Sequence, residues 1–182
     1  NILVLMTPQK VKRHRPFILE TKRMYLNEID AMDADDLFEL NNDPTVMHYT
    51  SDQSFTSIEN ARLFCQSYSP YKSTGIGRWS MRLKTTNQFI GWCGLKLHSN
   101  SEVDLGFRLL HRHWGQGLAI EASTACIEYG FKILKQSYLI ARIHPLNIRS
   151  IRLIRRLHFK FWKVIAIDDK EIRYYRLDNP NL

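Results

Sequence analysis

The sequence predicts an α/β fold, more closely an α+β mixed sheet, and three observations carry the prediction. A strand at 102–109 runs into a turn with two glycines, which opens into a helix over 115–134 and leads to a strand at 138–143, the pattern of a βαβ crossover. Before it, 78–84, 88–97 and 102–109 read as successive strands, joined by turns at Thr85-Thr86-Asn87 and Ser99-Asn100-Ser101. After it, strands over 159–166 and 171–177 complete the sheet. At 182 residues the chain fits one domain, long enough to bury about 70% of its unfolded surface.

The elements follow in order. Residues 23–29 alternate as a strand. Asp33 is expected to cap a helix running to about Asn42, which Asp43-Pro44 ends. Thr56-Ser57-Ile58-Glu59 has the form of a capping box and opens a helix through about Tyr68. Pro70 to Gly77 is polar, carries glycine and reads as a loop. In the helix over 115–134, apolar residues fall at 118, 122, 125, 126, 129 and 133, opposite a stripe of Glu121, Thr124, Glu128, Lys132 and Lys135. Pro145 closes the strand at 138–143, and Asn147 caps a helix over 148–157. That helix turns Ile148, Ile151, Ile154 and Leu157 inward and Arg149, Arg152, Arg155 and Arg156 outward.

The run His111-Arg112-His113-Trp114-Gly115-Gln116-Gly117-Leu118-Ala119-Ile120-Glu121-Ala122 is built to hold an anion. A helix start leaves about four N–H groups without intrahelical partners and carries about half a positive charge, so a phosphate suits it. Glycines at 115 and 117 let backbone approach a ligand closely, and Arg112 places a fork of donors beside them. A dinucleotide fingerprint would need Gly or Ala where Ile120 stands, and a Walker loop would end in Gly-Lys-Ser/Thr; neither is present.

What remains, Arg-x-x-Gly-x-Gly after a strand, resembles the pyrophosphate loop of the GNAT superfamily of acyl-CoA-dependent N-acyltransferases. Glu20-Thr21-Lys22-Arg23-Met24-Tyr25-Leu26 and 33–47 resemble the opening strand and first helix of its RimJ/RimL-like branch. Phe89 to Leu95 and Val103-Asp104-Leu105-Gly106-Phe107 resemble its central antiparallel strands. Asn147-Ile148-Arg149-Ser150 with Leu157-His158-Phe159 resembles its Asn-x-x-Ser helix and Leu-Gly-Phe close, with His158 in place of the usual Gly. The likeness spans about Glu20 to Tyr175. It divides the chain into an N-terminal extension (1–19), a single GNAT domain (20–177) and a tail (178–182).

The resemblance implies a GNAT fold: a central, mostly antiparallel sheet, a βαβ acetyl-CoA-binding unit, and a splayed fourth and fifth strand, here 102–109 and 138–143. It implies transfer of an acetyl group from acetyl-CoA to a primary amine by direct attack in a ternary complex. Backbone N–H groups of Phe107, Arg108 and Leu109 would hold the oxyanion. Arg112, Trp114, Gly115, Gln116, Gly117, Leu118 and Ala119 would line the pyrophosphate, with the Trp114 ring packed and its peptide at the site. Ser150 would protonate or stabilise the leaving thiolate and Asn147 would contact the pantetheine arm, while a helix cap and first-turn packing are their structural alternatives. The attacking amine must be neutral, and Asp104, at the position of the family's frequent Glu, is the candidate base; its alternative is an ion-pair partner. Glu102, His111 and His113 stand behind it.

Charge points to the partners. From Tyr129 to Ile167 there are nine Lys or Arg and no Asp or Glu, more positive charge than the whole chain's net +8. This face suits the CoA phosphates, with Arg152 or Arg149 near the adenosine end. A basic nucleic-acid-binding module is the reading from another class, against which stand the missing RNP, helix-turn-helix and zinc-finger patterns. Lys10, Lys12, Arg13 and Arg15 make a second basic cluster. The acidic residues from Glu28 to Asp43 suggest a lip that could receive an amine. The acceptor is a peptide N-terminus or a small amine, with polyamines and antibiotics as alternatives.

Cys65, Cys93 and Cys126 are odd in number, lack metal-ligand spacing and sit among apolar neighbours, which predicts buried thiols, no metal and a reducing cytoplasm. With 44% hydrophobic and 24% charged residues, and an apolar run at Asn1 to Met6 too short for a span, a folded chain with no membrane segment is expected, as monomer or homodimer. The scattered histidines His14, His48, His98, His144 and His158 are read as surface or packing residues, and Trp79, Trp92 and Trp162 as core.

Overall fold

The computed structural model describes residues 18–167 and 170–181. The basic cluster expected at 10–15 and His14 lie outside them. Strands β1 (Leu19–Glu20), β2 (Met24–Glu28), β3 (Arg78–Leu83), β4 (Phe89–Leu97), β5 (Val103–Leu109), β6 (Tyr138–Ile143), β7 (Lys160–Ile167) and β8 (Lys170–Asp178) form one sheet in the order β1-β2-β3-β4-β5-β6-β8-β7. Every neighbouring pair is antiparallel except β5 and β6. That one parallel pair meets only at Asp104 and Ile140, so the strands part as they run toward Leu109 and Ile143. The splay is thus in place, open at the carboxyl ends of two parallel strands, where α/β sheets bind ligands.

Helix α5 (Leu118–Lys132) crosses one face of the sheet. Its Leu118, Ala122, Cys126 and Phe131 join Leu95, Leu105, Leu139 and Tyr175 in the larger core. The helical period read at 118, 122 and 126 holds, but Ile133 follows the last turn and is 64% exposed. Helices α1 (Ala34–Asn42) and α3 (Ile58–Ser67) cover the other face, closing a smaller core of Leu37, Leu40, Cys65, Phe89 and Leu110. All three cysteines are buried thiols, as expected.

Several local expectations are corrected. Asp33 does not cap α1: it closes a capping box with Asp30 around a 3-10 turn, and its buried carboxylate meets Arg82 at 2.5 Å. Asp43-Pro44 ends α1 but at once starts α2 (Pro44–Met47), because Pro suits a first helical position and Asp43 caps Thr45 and Val46. Ser57 alone caps α3, accepting from Asn60 N–H, so the box expected with Thr56 is absent. Pro70 to Gly77 is not all loop; Pro70–Thr74 is the helix α4, ended by Gly75 at φ +71°. In α6 (Ile148–Arg156), Ile151 and Ile154 are buried, whereas Ile148 in the first turn is 48% exposed. Trp79 is core, Trp92 half-buried, and Trp162 lies at the surface on the edge strand β7 beside Lys163 and Arg176.

Candidate active site

The loop between β5 and α5 has the backbone the glycines predict. Gly115 and Gly117 sit at φ +75° and +74°, left-handed values that a residue with a Cβ adopts only at a cost. Among the described residues, the consecutive N–H groups from Gly115 to Ile120 donate to no protein acceptor; the first intrahelical bond is Glu121 N–H to the Gly117 carbonyl at 3.2 Å. A row of free N–H groups at the start of a fifteen-residue helix is an anion cradle. Leu118 is buried beneath it, and Ala119 packs against the core. The Trp114 ring packs as expected and its Nε1 donates to the Leu109 carbonyl at 2.8 Å, which fixes the strand's end against the loop.

Arg112 does not add its donors to that cradle. Its guanidinium pairs with Glu39 on α1, while its carbonyl accepts from the Gln116 side chain at 3.1 Å. The cation at the loop is Arg23, just before β2. It donates to the Gln116 carbonyl at 2.9 Å, and its Nη2 lies 3.6 Å from where a Cβ on Gly117 would stand. Sequence reading missed it, since Arg23 and the loop are more than ninety positions apart.

The backbone of β5 faces two ways. A Cβ on Gly91 would lie 2.1 Å from the Arg108 carbonyl, so the peptide groups of Arg108 face β4. Consecutive residues alternate along a strand, hence those of Phe107 and Leu109 face the splay. Of the three expected oxyanion donors, Arg108 N–H therefore points the wrong way, and Phe107 N–H and Leu109 N–H remain. At the mouth of the splay, α6 follows directly from β6. Asn147 caps it, its Oδ1 accepting from Ser150 N–H at 3.1 Å. The half-buried Ser150 hydroxyl has no hydrogen-bond partner among the described residues. Arg149 lies over the Trp114 ring at 5.1 Å, tying α6 to the loop, and Arg152 is exposed on the outer side of α6.

On the face covered by α1 and α3, even-numbered residues of β5 meet arginines. Asp104 is buried and pairs with Arg78 at 2.7 Å, with His98 Nε2 at 3.7 Å. Burial raises its pKa, but the charge and hydrogen bonds of Arg78 and His98, and the charge of Arg142, outweigh this and hold it below the ordinary carboxylate value. A carboxylate so engaged is a weak proton acceptor, and the structure shows the ion pair that is the alternative reading of Asp104. Glu102 is likewise paired, with Lys163 at 3.2 Å, and although burial raises it, bonds from Asn100 and Lys163 lower it. His111 packs edge-on against Trp114. His113 is held below its ordinary pKa by burial and by Arg112, so its ring is neutral at pH 7, but it lies on the outer turn before the loop.

The Arg78 guanidinium lies over Gly106 and against one side of Trp92; Arg108 lies against Trp92 as well, each 5.2 Å from the ring centre. Arg108 is nearly buried and ties α1 to the chain after α2, donating to Asn41 on α1 at 2.7 Å and to Thr50 at 2.9 Å and Asp52 at 2.6 Å beyond α2. The acidic lip expected between Glu28 and Asp43 is largely engaged elsewhere. Asp33 and Asp36 face Arg82, Glu39 faces Arg112, and Asp30 and Asp43 cap turns. No group of three or more His, Cys, Asp or Glu among the described residues could hold a metal, and none of their helices is long and apolar enough to cross a membrane.

A family model described as acetyltransferase (GNAT) domain matches residues 23–160. N-acetyltransferase p20 of Bacillus licheniformis is 34% identical over 145 residues, 78% of this chain and 82% of the relative. YkkB of Bacillus subtilis is 30% identical over 171 residues, 90% and 96% of the two chains. Among solved structures, the ribosomal L7/L12 α-N-protein acetyltransferase RimL in complex with CoA superposes with a TM-score of 0.75 at 16% identity, covering 90% of this chain and 98% of that one. Spermidine N-acetyltransferase from Vibrio cholerae, with CoA and spermine, gives 0.72 at 14% identity, covering 86% and 95%. With its family model covering most of the chain and a relative 34% identical over 78% of it, the chain belongs to the GNAT acetyltransferase family, whose members carry out acetyl-CoA-dependent acetyl transfer.

Proposed function

We propose that this enzyme acetylates a single primary amine, a peptide N-terminus or a small-molecule amine, by direct attack on acetyl-CoA in a ternary complex, in the manner of the RimJ/RimL-like branch and in the cytoplasm. The observation that carries the reading is the unpartnered N–H row from Gly115 to Ile120, set at the open end of the β5–β6 splay. The pyrophosphate of CoA occupies that row, and the pantetheine arm runs into the splay. The thioester carbonyl lies against the N–H of Phe107, where a preorganised donor is worth about 3 kcal/mol to the tetrahedral oxyanion. As the C–S bond breaks, the Ser150 hydroxyl donates to the departing sulfur; Asn147 holds Ser150 in place by capping its helix. The exposed arginines of α6 serve the phosphates.

Proton removal from the amine rests on its surroundings rather than on Asp104. Arg78 and Arg108, each ion-paired, flank Trp92, and desolvation of the amine against that ring disfavours the ammonium form. The same pairing separates acceptor classes. A polyamine needs several free carboxylates for its remaining charges, and most of the acidic residues here, Asp33, Asp36, Glu39, Asp52 and Asp104, face arginines. A thiol-release assay with acetyl-CoA and a panel of short peptides, simple amines and spermidine tests this. Turnover of monoamines well above spermidine is expected. Preferred turnover of spermidine would overturn the acceptor class, and failure to bind acetyl-CoA alongside tight, salt-resistant RNA binding would favour a basic binding module.

A further inference from the structure

The anion loop is held from behind by a clamp that reaches across the sheet. Glu121, in the first turn of α5, accepts three hydrogen bonds from the β1–β2 turn: from the Thr21 hydroxyl at 2.7 Å, from the Arg23 N–H at 2.8 Å and from Arg23 Nε at 2.6 Å. Both carboxylate oxygens are used, so the guanidinium plane is fixed at one edge. Its other edge then donates through Nη1 to the Gln116 carbonyl.

That carbonyl belongs to the peptide joining Gln116 to Gly117. No peptide among the described residues is cis, and across a trans peptide the C=O and the N–H point in opposite directions. A donor gripping the Gln116 oxygen from behind therefore turns the Gly117 N–H to the front, among the free N–H groups of the cradle. Gly117, at φ +74°, belongs to the residue type with the widest choice of backbone angles, so this peptide is the one most in need of an external restraint. A cation on the oxygen also polarises the amide and makes its N–H a stronger donor.

We infer that Arg23, fixed by Glu121, is a positioning residue that aims the Gly117 N–H at the pyrophosphate of CoA. The inference rests on the loop holding that pyrophosphate. It assigns the side-chain cation of the loop to Arg23, while Arg112 fastens the loop to α1.

The test compares kcat/KM for acetyl-CoA with that for S-acetyl-pantetheine, which lacks the pyrophosphate, in the native enzyme and in Arg23→Met, Arg23→Lys and Glu121→Gln. The native preference for acetyl-CoA should fall about 10-fold in Arg23→Met, carried by KM rather than kcat, and be partly restored in Arg23→Lys, which can still reach the carbonyl. A fold-wide defect would lower both substrates together and leave their ratio alone. Should Arg23→Met fail to fold, Glu121→Gln, which keeps the shape and loses the charge, should lower the ratio about 3-fold. It should also move the amide resonance of Gly117 in the ligand-free protein. Native-like ratios in folded variants would overturn the inference. No preference for acetyl-CoA in the native enzyme would instead overturn the reading of the loop itself.

Discussion

Replacing Gly117 by Val attacks the cradle at its most demanding position. A Cβ there would stand 3.6 Å from Arg23 Nη2, an ordinary contact, so the penalty is conformational rather than steric. At φ +74° a side chain with a Cβ costs about 1–2 kcal/mol, and a β-branched one sits at the upper end. If the loop relieves this by turning the 116–117 peptide, one charge-assisted bond to the pyrophosphate is lost, worth about 1.5–3 kcal/mol. That lost bond raises the acetyl-CoA dissociation constant by roughly 10- to 150-fold at about 1.4 kcal/mol per decade, while any strain the loop retains lowers stability instead. Titration calorimetry of the variant, with thermal unfolding as a control for folding, reads this directly. A folded variant that binds acetyl-CoA within threefold of native would refute the placement. Gly115→Val should behave similarly, since φ is +75° and the space beside it is open.

Ser150→Ala is expected to lower kcat by roughly 10- to 1,000-fold and to leave the acetyl-CoA dissociation constant within a few-fold, because a donor to the departing sulfur acts mainly in the transition state; native kcat would reduce Ser150 to helix packing. Asp104→Asn should act on stability: removing one partner of a buried pair costs about 3–5 kcal/mol, read by denaturant unfolding, without moving the pH–rate profile. The sign in the native protein follows from the lowered pKa of Asp104: its stabilisation is full above the unfolded value of about 3.9 and is lost as pH falls through the lower folded value. A displaced pH–rate profile in a stable Asp104→Asn would restore this residue as the base.

Much of this arrangement is legible locally. The glycine pair, the helix it opens and the Asn147 cap depend on residues a few positions apart, so spacing alone identifies them. The β3–β4–β5 strands follow from alternation and turns in the same way. Partner choice across the fold is another matter. Asp104 meets Arg78 and Arg112 meets Glu39 because β3 and α1 are brought to them by the sheet, and no local pattern encodes either contact. The acidic segment illustrates the same limit, since its charge is visible in the sequence while its pairing with Arg82 and Arg112 is not. Arg23 was reachable by one signal only: a cation in the strand that resembles the family's opening strand, with an acidic residue, Glu121, otherwise left in the first turn of the loop's helix. The short helix Pro70–Thr74 was hidden because proline reads equally as a loop residue and as a first helical position.

On the proposed reading, the N–H row from Gly115 to Ile120 binds the pyrophosphate of CoA beside the β5–β6 splay. Amide NMR of the 15N-labelled protein during titration with CoA measures it most directly. The largest shifts are expected at Gly115, Gln116, Gly117, Leu118 and Ala119, followed by Phe107 and Ser150, saturating together. Shifts confined to other surfaces, with these amides unmoved at saturation, would contradict it.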